Sequence, residues 1–357
     1  MTTNNYTKKR EGIGSLFHDI ETSSYTWKPI KLDMEYELFY TGRQAFKFIL
    51  DTISETHAIE KIWMPSYYCQ HVTRWIKKVY NNLHFYDINP FEFDKVLDLY
   101  EFASKNDVVL INNYWGLSDT VIKKSDLPII IEDHSHGWLT RNCLHSNADY
   151  CFTSLRKTLP IPLGGISWKP NSKFNNSKHD FKQDIHFYEV FDRLHDAMKH
   201  KNSYKNGSTN VSKEDFLKVI EETEDFLDVN HEIISLRPQD IKLFDTFLNY
   251  DFLSHKHENL NIVYKQLNRP DFMRIVQRDQ HVAFGLLVLF KEERLWASLK
   301  NHLISNDIYP SFLWPDNKPV SDWQYVLNIH VDFRYNASDM EYISNTINEW
   351  IQMNTKH

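Results

Sequence analysis

Hydrophobic residues along this chain gather into short runs, each followed by a stretch in which they recur every three or four positions. Ile129-Ile130-Ile131 is one such run, and it ends in Glu132-Asp133. Three consecutive β-branched residues without polar alternation suit a strand buried on both faces, which places Asp133 at the carboxyl end of a central strand. Glu37-Leu38-Phe39-Tyr40, Lys61-Ile62-Trp63-Met64-Pro65 and Val108-Val109-Leu110-Ile111 read as further strands. The second is closed by its proline and the third by the turn chemistry of Asn112-Asn113-Tyr114-Trp115-Gly116. Between them Ala45, Phe46, Ile49 and Leu50, and the span Thr73 to Tyr80, carry helical spacing. Strands alternating with helices predict an α/β fold, a mostly parallel sheet covered by helices.

The texture changes in the second half. Lys213 to Phe226 and Pro238 to Leu267 are helical in spacing, and the latter reads as one long helix able to bridge two domains. Beyond Pro270 a strand over Val282–Phe290, a helix over Arg294–Ile304, a strand over Tyr325–Val331 and a closing helix over Ser338–Met353 predict a small α+β unit. At 357 residues the chain exceeds one average domain of roughly 150 residues. The expected division is an N-terminal extension over 1–35, a large domain over 36–240, and a bridging helix with a small C-terminal domain over 241–357.

Composition narrows the function. Hydrophobic residues at 41% and aromatics at 15% supply a globular core. A net charge of -7 gives no basic footprint for nucleic acid. The polar start Met1 to Arg10 lacks the apolar core of a signal peptide, and no apolar run approaches the eighteen or so residues needed to span a bilayer. Cys69, Cys143 and Cys151 form neither a paired ladder nor a metal-ligand spacing, so a reducing cytoplasm is the expected setting. No P-loop, Gly-rich dinucleotide fingerprint or zinc spacing is present, and the His134/His136 pair has no further ligand cluster beside it, so no metal is expected.

The chemistry concentrates after Asp133. One further strand's length on stand Thr153-Ser154-Leu155-Arg156-Lys157 and then Gly164-Gly165. Open α/β sheets place their ligand crevice at the carboxyl ends of the strands. An acid there, with a lysine in a Ser-x-x-Lys turn before a glycine pair, suits pyridoxal phosphate. The lysine holds the cofactor covalently, and the carboxylate keeps the pyridine nitrogen protonated so that the ring acts as an electron sink. Upstream, Thr41-Gly42-Arg43 opens a helix, where backbone N–H groups are free to face an anion and Arg43 adds a charge-assisted contact.

On these residues the chain resembles the fold-type I aminotransferases, and within them the DegT/StrS-type nucleotide-sugar aminotransferases. Asp133, His136 three residues later, Lys157 and Gly164-Gly165 fall on the family's positions, over a likeness running from about Tyr40 to Trp350. Ser154 stands three residues before Lys157, as in the broader aminotransferase pattern. The resemblance implies Lys157 as the catalytic residue and cofactor anchor, with Asp133 on the pyridine nitrogen and His136 beside the ring or on its phenolic oxygen. Thr41, Gly42 and Arg43 then hold the phosphate. Strict alignment puts Cys69 where the family has a ring stacked on the cofactor, with the neighbouring Tyr68 as the other choice. Tyr114 and Arg334 take positions where relatives face substrate. The implied partners are an amino-acid donor such as glutamate, a keto-sugar nucleotide acceptor and a second copy of the chain, in surface polysaccharide or secondary-metabolite biosynthesis. A pyridoxal phosphate-dependent sugar dehydratase or other lyase, or a non-catalytic member of the same fold, are the alternative expectations.

Overall fold

A computed structural model describes residues 12–14, 16–93, 97–119, 127–174, 180–208, 210–314 and 316–355. The polar start over residues 1–10 lies outside them. In chain order the elements are β1 (Ile13–Gly14), β2 (Tyr36–Phe39), α1 (Gly42–Ser54), β3 (Ile62–Pro65), α2 (Gln70–Val79), β4 (Leu83–Tyr86), β5 (Val108–Asn112), β6 (Ile129–Asp133), α3 (Arg141–Leu144), β7 (Tyr150–Ser154) and β8 (Gly165–Trp168). There follow α4 (Ile185–Lys205), α5 (Lys213–Val229), α6 (Pro238–Leu248), α7 (Phe252–Gln266), β9 (Met273–Val276), β10 (Leu286–Phe290), α8 (Glu293–Ser305), β11 (Ile308–Tyr309), β12 (Tyr325–Ile329) and α9 (Ala337–Thr355).

Seven strands form the main sheet in the order β2-β8-β7-β6-β5-β3-β4. β3 to β7 run parallel, and β8 alone is antiparallel to both of its neighbours. Because successive strand side chains point to opposite faces, the near-continuous apolar runs feed two cores at once. Val108, Leu110 and Ile131 enter one, whereas Val109, Ile130 and Cys151 enter the other. The first core continues into the antiparallel sheet β12-β10-β9, whose central strand Leu286–Phe290 is entirely buried. β1 lies parallel to β11, so the N-terminal segment is stitched to the C-terminal unit.

Helix boundaries follow local chemistry. Thr41 caps α1 by accepting the Gln44 N–H at 3.1 Å, and α5 opens on a capping box of Ser212 and Asp215. The single helix expected over Pro238–Leu267 is instead two. Asp251 accepts from the N–H groups of both Leu253 and Ser254 at 3.0 Å and starts α7 afresh. The break itself is held from outside: Asp251 N–H donates to the Lys28 carbonyl, and Ile30 N–H donates to the Asn249 carbonyl. Tertiary pairing with the N-terminal segment thus overrides a continuous helical pattern.

Candidate active site

A cavity of about 570 Å³ opens where the carboxyl ends of β2, β5, β6 and β7 meet the loop after β11. Glycines let its floor close up. A Cβ on Gly165 would stand 2.2 Å from the Thr41 carbonyl oxygen, and one on Gly42 would stand 3.0 Å from the Ser154 Cβ. β8 therefore lies directly against the start of α1, whose N-terminal amides face the cavity end of β7.

Asp133 is buried at the end of β6. Its Oδ1 accepts the Ser135 N–H at 2.7 Å, and its Oδ2 accepts the Tyr68 hydroxyl. Burial raises its pKa above the usual carboxylate value, while the hydrogen bonds from Ser135 and Tyr68 and the proximity of His134 work the other way. His136 is buried among rings, with Phe284 at 4.5 Å, Trp115 at 5.1 Å and Trp314 at 5.2 Å, all close to parallel. That desolvation, with Lys157, Lys256 and His330 nearby, brings its pKa down to about 3, so the imidazole is neutral at physiological pH. Its Nδ1 is buried without a hydrogen-bond partner among the described residues.

Lys157 is the last residue of the one-turn helix that follows β7. Its side chain is exposed to the cavity, whose walls take part of its hydration. Desolvation therefore lowers its pKa, and the positive charge of Arg156 lowers it further. Its Nζ has no hydrogen-bond or ion-pair partner among the described residues, which leaves the amine free to react.

Beside it lies a charged cluster. Arg156 Nη1 pairs with Glu224 Oε1 on α5, while Arg43 Nη2 lies 2.9 Å from Asp228 Oδ1 and 3.7 Å from Glu224 Oε2. Asp228 also meets His71 Nδ1 at 2.8 Å. Burial alone would raise the Glu224 carboxyl, yet Arg156, Lys157 and Arg43 pull it down to about 2. Arg43 Nη1 remains buried and unpartnered among the described residues.

The structure brings Thr41, Gly42 and Arg43 to one wall of this cavity, and Asp133, His136, Ser154 and Lys157 to the others. Tyr68 and Cys69 both line it. Tyr68 spends its hydroxyl on Asp133, and Cys69 faces the arginine cluster. Two candidate substrate residues lie outside the lining of this cavity. Tyr114 is enclosed, with its hydroxyl donated to the Tyr67 carbonyl, because a positive φ of 61° at Trp115 turns that segment into the core. Arg334 points elsewhere: Nε and Nη2 each meet the Asp332 carboxylate at 2.7 Å, and Nη1 and Nη2 donate to the carbonyls of Leu16 and Gly14. Conversely, Arg156, Glu224, Trp314 and His330 line the cavity and were not read from the sequence. Arg156 was adjacent to Lys157 and could have been found; Glu224 and His330 sit in unremarkable helical and strand patterns with no such signal. The histidines of the His134/His136 pair face different surroundings. His134 is buried near Glu132 and Cys151, with its Nε2 3.2 Å from Glu132 Oε2 and its Nδ1 3.1 Å from Asn113 Nδ2.

The sheet order, the single antiparallel strand and the crevice over the strand ends define the fold-type I architecture of pyridoxal phosphate enzymes. Among solved structures the chain is similar to Spr1654 from Streptococcus pneumoniae, described as a sugar aminotransferase and solved in its PMP form. The TM-score is 0.59 at 10% identity, over 96% of this chain and 99% of that one. It is also similar to AtS13 from Actinomadura melliaura, at 0.54 and 12% identity over 95% and 99% of the two chains. The sugar aminotransferase CalS13 from Micromonospora echinospora gives 0.52 and 13% identity over 88% and 87%. No protein-family model and no curated protein matches the sequence.

Proposed function

We propose that this chain is a pyridoxal phosphate-dependent aminotransferase that passes an amino group from an amino-acid donor such as glutamate to a keto-sugar nucleotide. The observation that carries the proposal is Lys157, an unpartnered amine presented to a cavity whose neighbouring strand end holds a buried aspartate. The residues fit the cofactor. The unpartnered Arg43 Nη1 and the amides at the start of α1 suit its phosphate, and Asp133 suits a protonated ring nitrogen. When bound, pyridoxal phosphate supplies an electron sink for breaking bonds at the donor's α-carbon and the acceptor's amine-bearing carbon.

The protein's own contributions follow from the geometry. Lys157 anchors the group and then moves a proton on Nζ, for which a pKa lowered by burial and by Arg156 is apt. Asp133 holds charge at the ring nitrogen, and Tyr68 and Ser135 keep its carboxylate oriented. Neutral His136 offers a hydrogen bond without a competing charge. Trp314 and Phe284 give the cavity an aromatic wall.

Solved structures of this fold include CalS13, described as a sugar aminotransferase, and DesI, solved in the presence of its TDP-sugar product, and these support the choice of a nucleotide sugar as acceptor. The three free cysteines support a reducing cytoplasm, and the resemblance supports a DegT/StrS-type homodimer serving polysaccharide or secondary-metabolite synthesis. In the deciding experiment, borohydride reduction of the chain with pyridoxal phosphate and peptide mapping put the cofactor mass on the Lys157 peptide. Glutamate then yields its keto acid when nucleotide keto sugars are supplied. Label on another lysine removes the assignment, and unchanged donor beside an altered sugar points to a lyase. Mass measurement at micromolar concentration should return a dimer.

A further inference from the structure

Arg43 and Arg156 reach the same corner of the cavity from different elements. One comes from the first turn of α1 and the other from the turn after β7. Two guanidinium groups at a helix N-terminus make a strong place for a tetrahedral anion, because each offers paired donors and the helix amides add theirs. The corner is already occupied by charge from this same chain: Glu224 binds Arg156 through Oε1 and approaches Arg43 through Oε2 at 3.7 Å, and Asp228 one turn on meets Arg43 at 2.9 Å. The pairing is incomplete. Arg43 is more than nine-tenths buried, yet its Nη1 has no acceptor among the described residues. A buried guanidinium nitrogen without a partner is costly to keep, and three oxygens on one centre would serve it where a single carboxylate does not. About a quarter of the side chains of Arg156, Glu224 and Asp228 is open to the cavity, which gives an entering ion access to them.

We infer that Arg43 and Arg156 form a two-arginine phosphate site and that Glu224, carried in on α5, is its resident counter-ion, which a phosphate group must displace in order to bind. The exchange conserves the pairing of both arginines, since phosphate oxygens replace carboxylate oxygens. It also drives Glu224, which stays ionised at physiological pH, away from the incoming dianion. α5 is consequently the element that yields when the site fills. The inference deepens the proposed function by assigning the phosphate contacts, but the anion site itself stands apart from any reaction at Lys157.

The test uses the full chain and two probes, inorganic phosphate and pyridoxal phosphate, with affinity read by calorimetry. Glu224→Gln should bind inorganic phosphate about ten-fold more tightly than the native chain, and Arg156→Gln about ten-fold more weakly. In the native chain, inorganic phosphate should lower hydrogen-exchange protection of the α5 amides over residues 220–229. A folded Glu224→Gln chain with unchanged or weaker phosphate affinity overturns the inference. If that variant does not fold, the exchange measurement on the native chain decides, and unaltered α5 protection at saturating phosphate overturns it equally. Phosphate exchange as expected, with no cofactor label on Lys157, upholds the anion site and removes the aminotransferase reading.

Discussion

Asp133 has to remain an acceptor while enclosed, and its neighbours show how that is arranged. A carboxylate at the end of a buried strand loses its hydration, and the Ser135 N–H and Tyr68 hydroxyl return two hydrogen bonds in exchange. Asp133→Asn should keep the fold, lose about 1.5 to 3 kcal/mol with the charge-assisted bonds, and reduce turnover steeply; normal turnover of the Asn chain would exclude Asp133 as the ring partner. Titration adds a second expectation. Burial, with nearby cations, brings His18, His136 and His330 each to about 3. Their folded pKa values lie below the unfolded 6.5, so the stability they contribute is complete above pH 6.5 and is lost as pH falls toward 3. Each removes at most about 1.4 kcal/mol per pH unit in that window. Thermal melts should show a clearly lower midpoint at pH 5.5 than at pH 7.5, and His330→Asn should flatten about a third of the slope. A midpoint insensitive to pH over this range would mean that these imidazoles are charged in the folded chain.

At the scale of elements, the sheet and the acid-lysine pair were legible because both lie in sequence-local patterns. Ile129-Ile130-Ile131 has no polar alternation, and Lys157 follows Asp133 by one strand, so neither needed knowledge of distant contacts. What escaped was set by tertiary contact. The break between α6 and α7 depends on Lys28 and Ile30 from the N-terminal segment, and Glu224 reaches the cavity only because α5 packs there. Helical periodicity reports which face is apolar but not which exposed carboxylate meets an arginine far along the chain. The glycine pair is the element-level test. Gly165 lets β8 pass against the first turn of α1, and a methyl group would sit 2.2 Å from the Thr41 carbonyl oxygen and 2.8 Å from the Gly42 nitrogen, both backbone atoms. Gly165→Ala should therefore cost about 1 to 3 kcal/mol in urea denaturation and weaken pyridoxal phosphate binding by displacing the helix start. An alanine chain with native stability and affinity would show that β8 and α1 can separate freely.

For the molecule as a whole, Arg334 shows how a residue of plausible chemistry can serve architecture. Read from sequence as substrate-facing, it instead binds Asp332 through two nitrogens, donates to the carbonyls of Gly14 and Leu16, and lies over the Phe17 ring at 4.2 Å. Tyr335 adds its hydroxyl to Gly14, and β1 pairs with β11 beside it. Leu16 and Phe17 line the same cavity as Lys157, so this clamp fixes one wall of the site by tying the start of the chain to the segment after β12. Arg334 holds the buried Asp332 carboxyl well below the usual carboxylate range against the opposing effect of burial. Arg334→Leu would leave that charge enclosed and unpaired, at a cost of about 3 to 5 kcal/mol. The double variant Asp332→Asn with Arg334→Leu should recover a good part of the loss, since the unpaired charge is gone. Urea denaturation of the two single variants and the double variant measures the coupling directly. Folded Arg334→Leu should still take borohydride label on Lys157. Unchanged stability together with a large rise in KM for the sugar nucleotide would instead return Arg334 to the substrate.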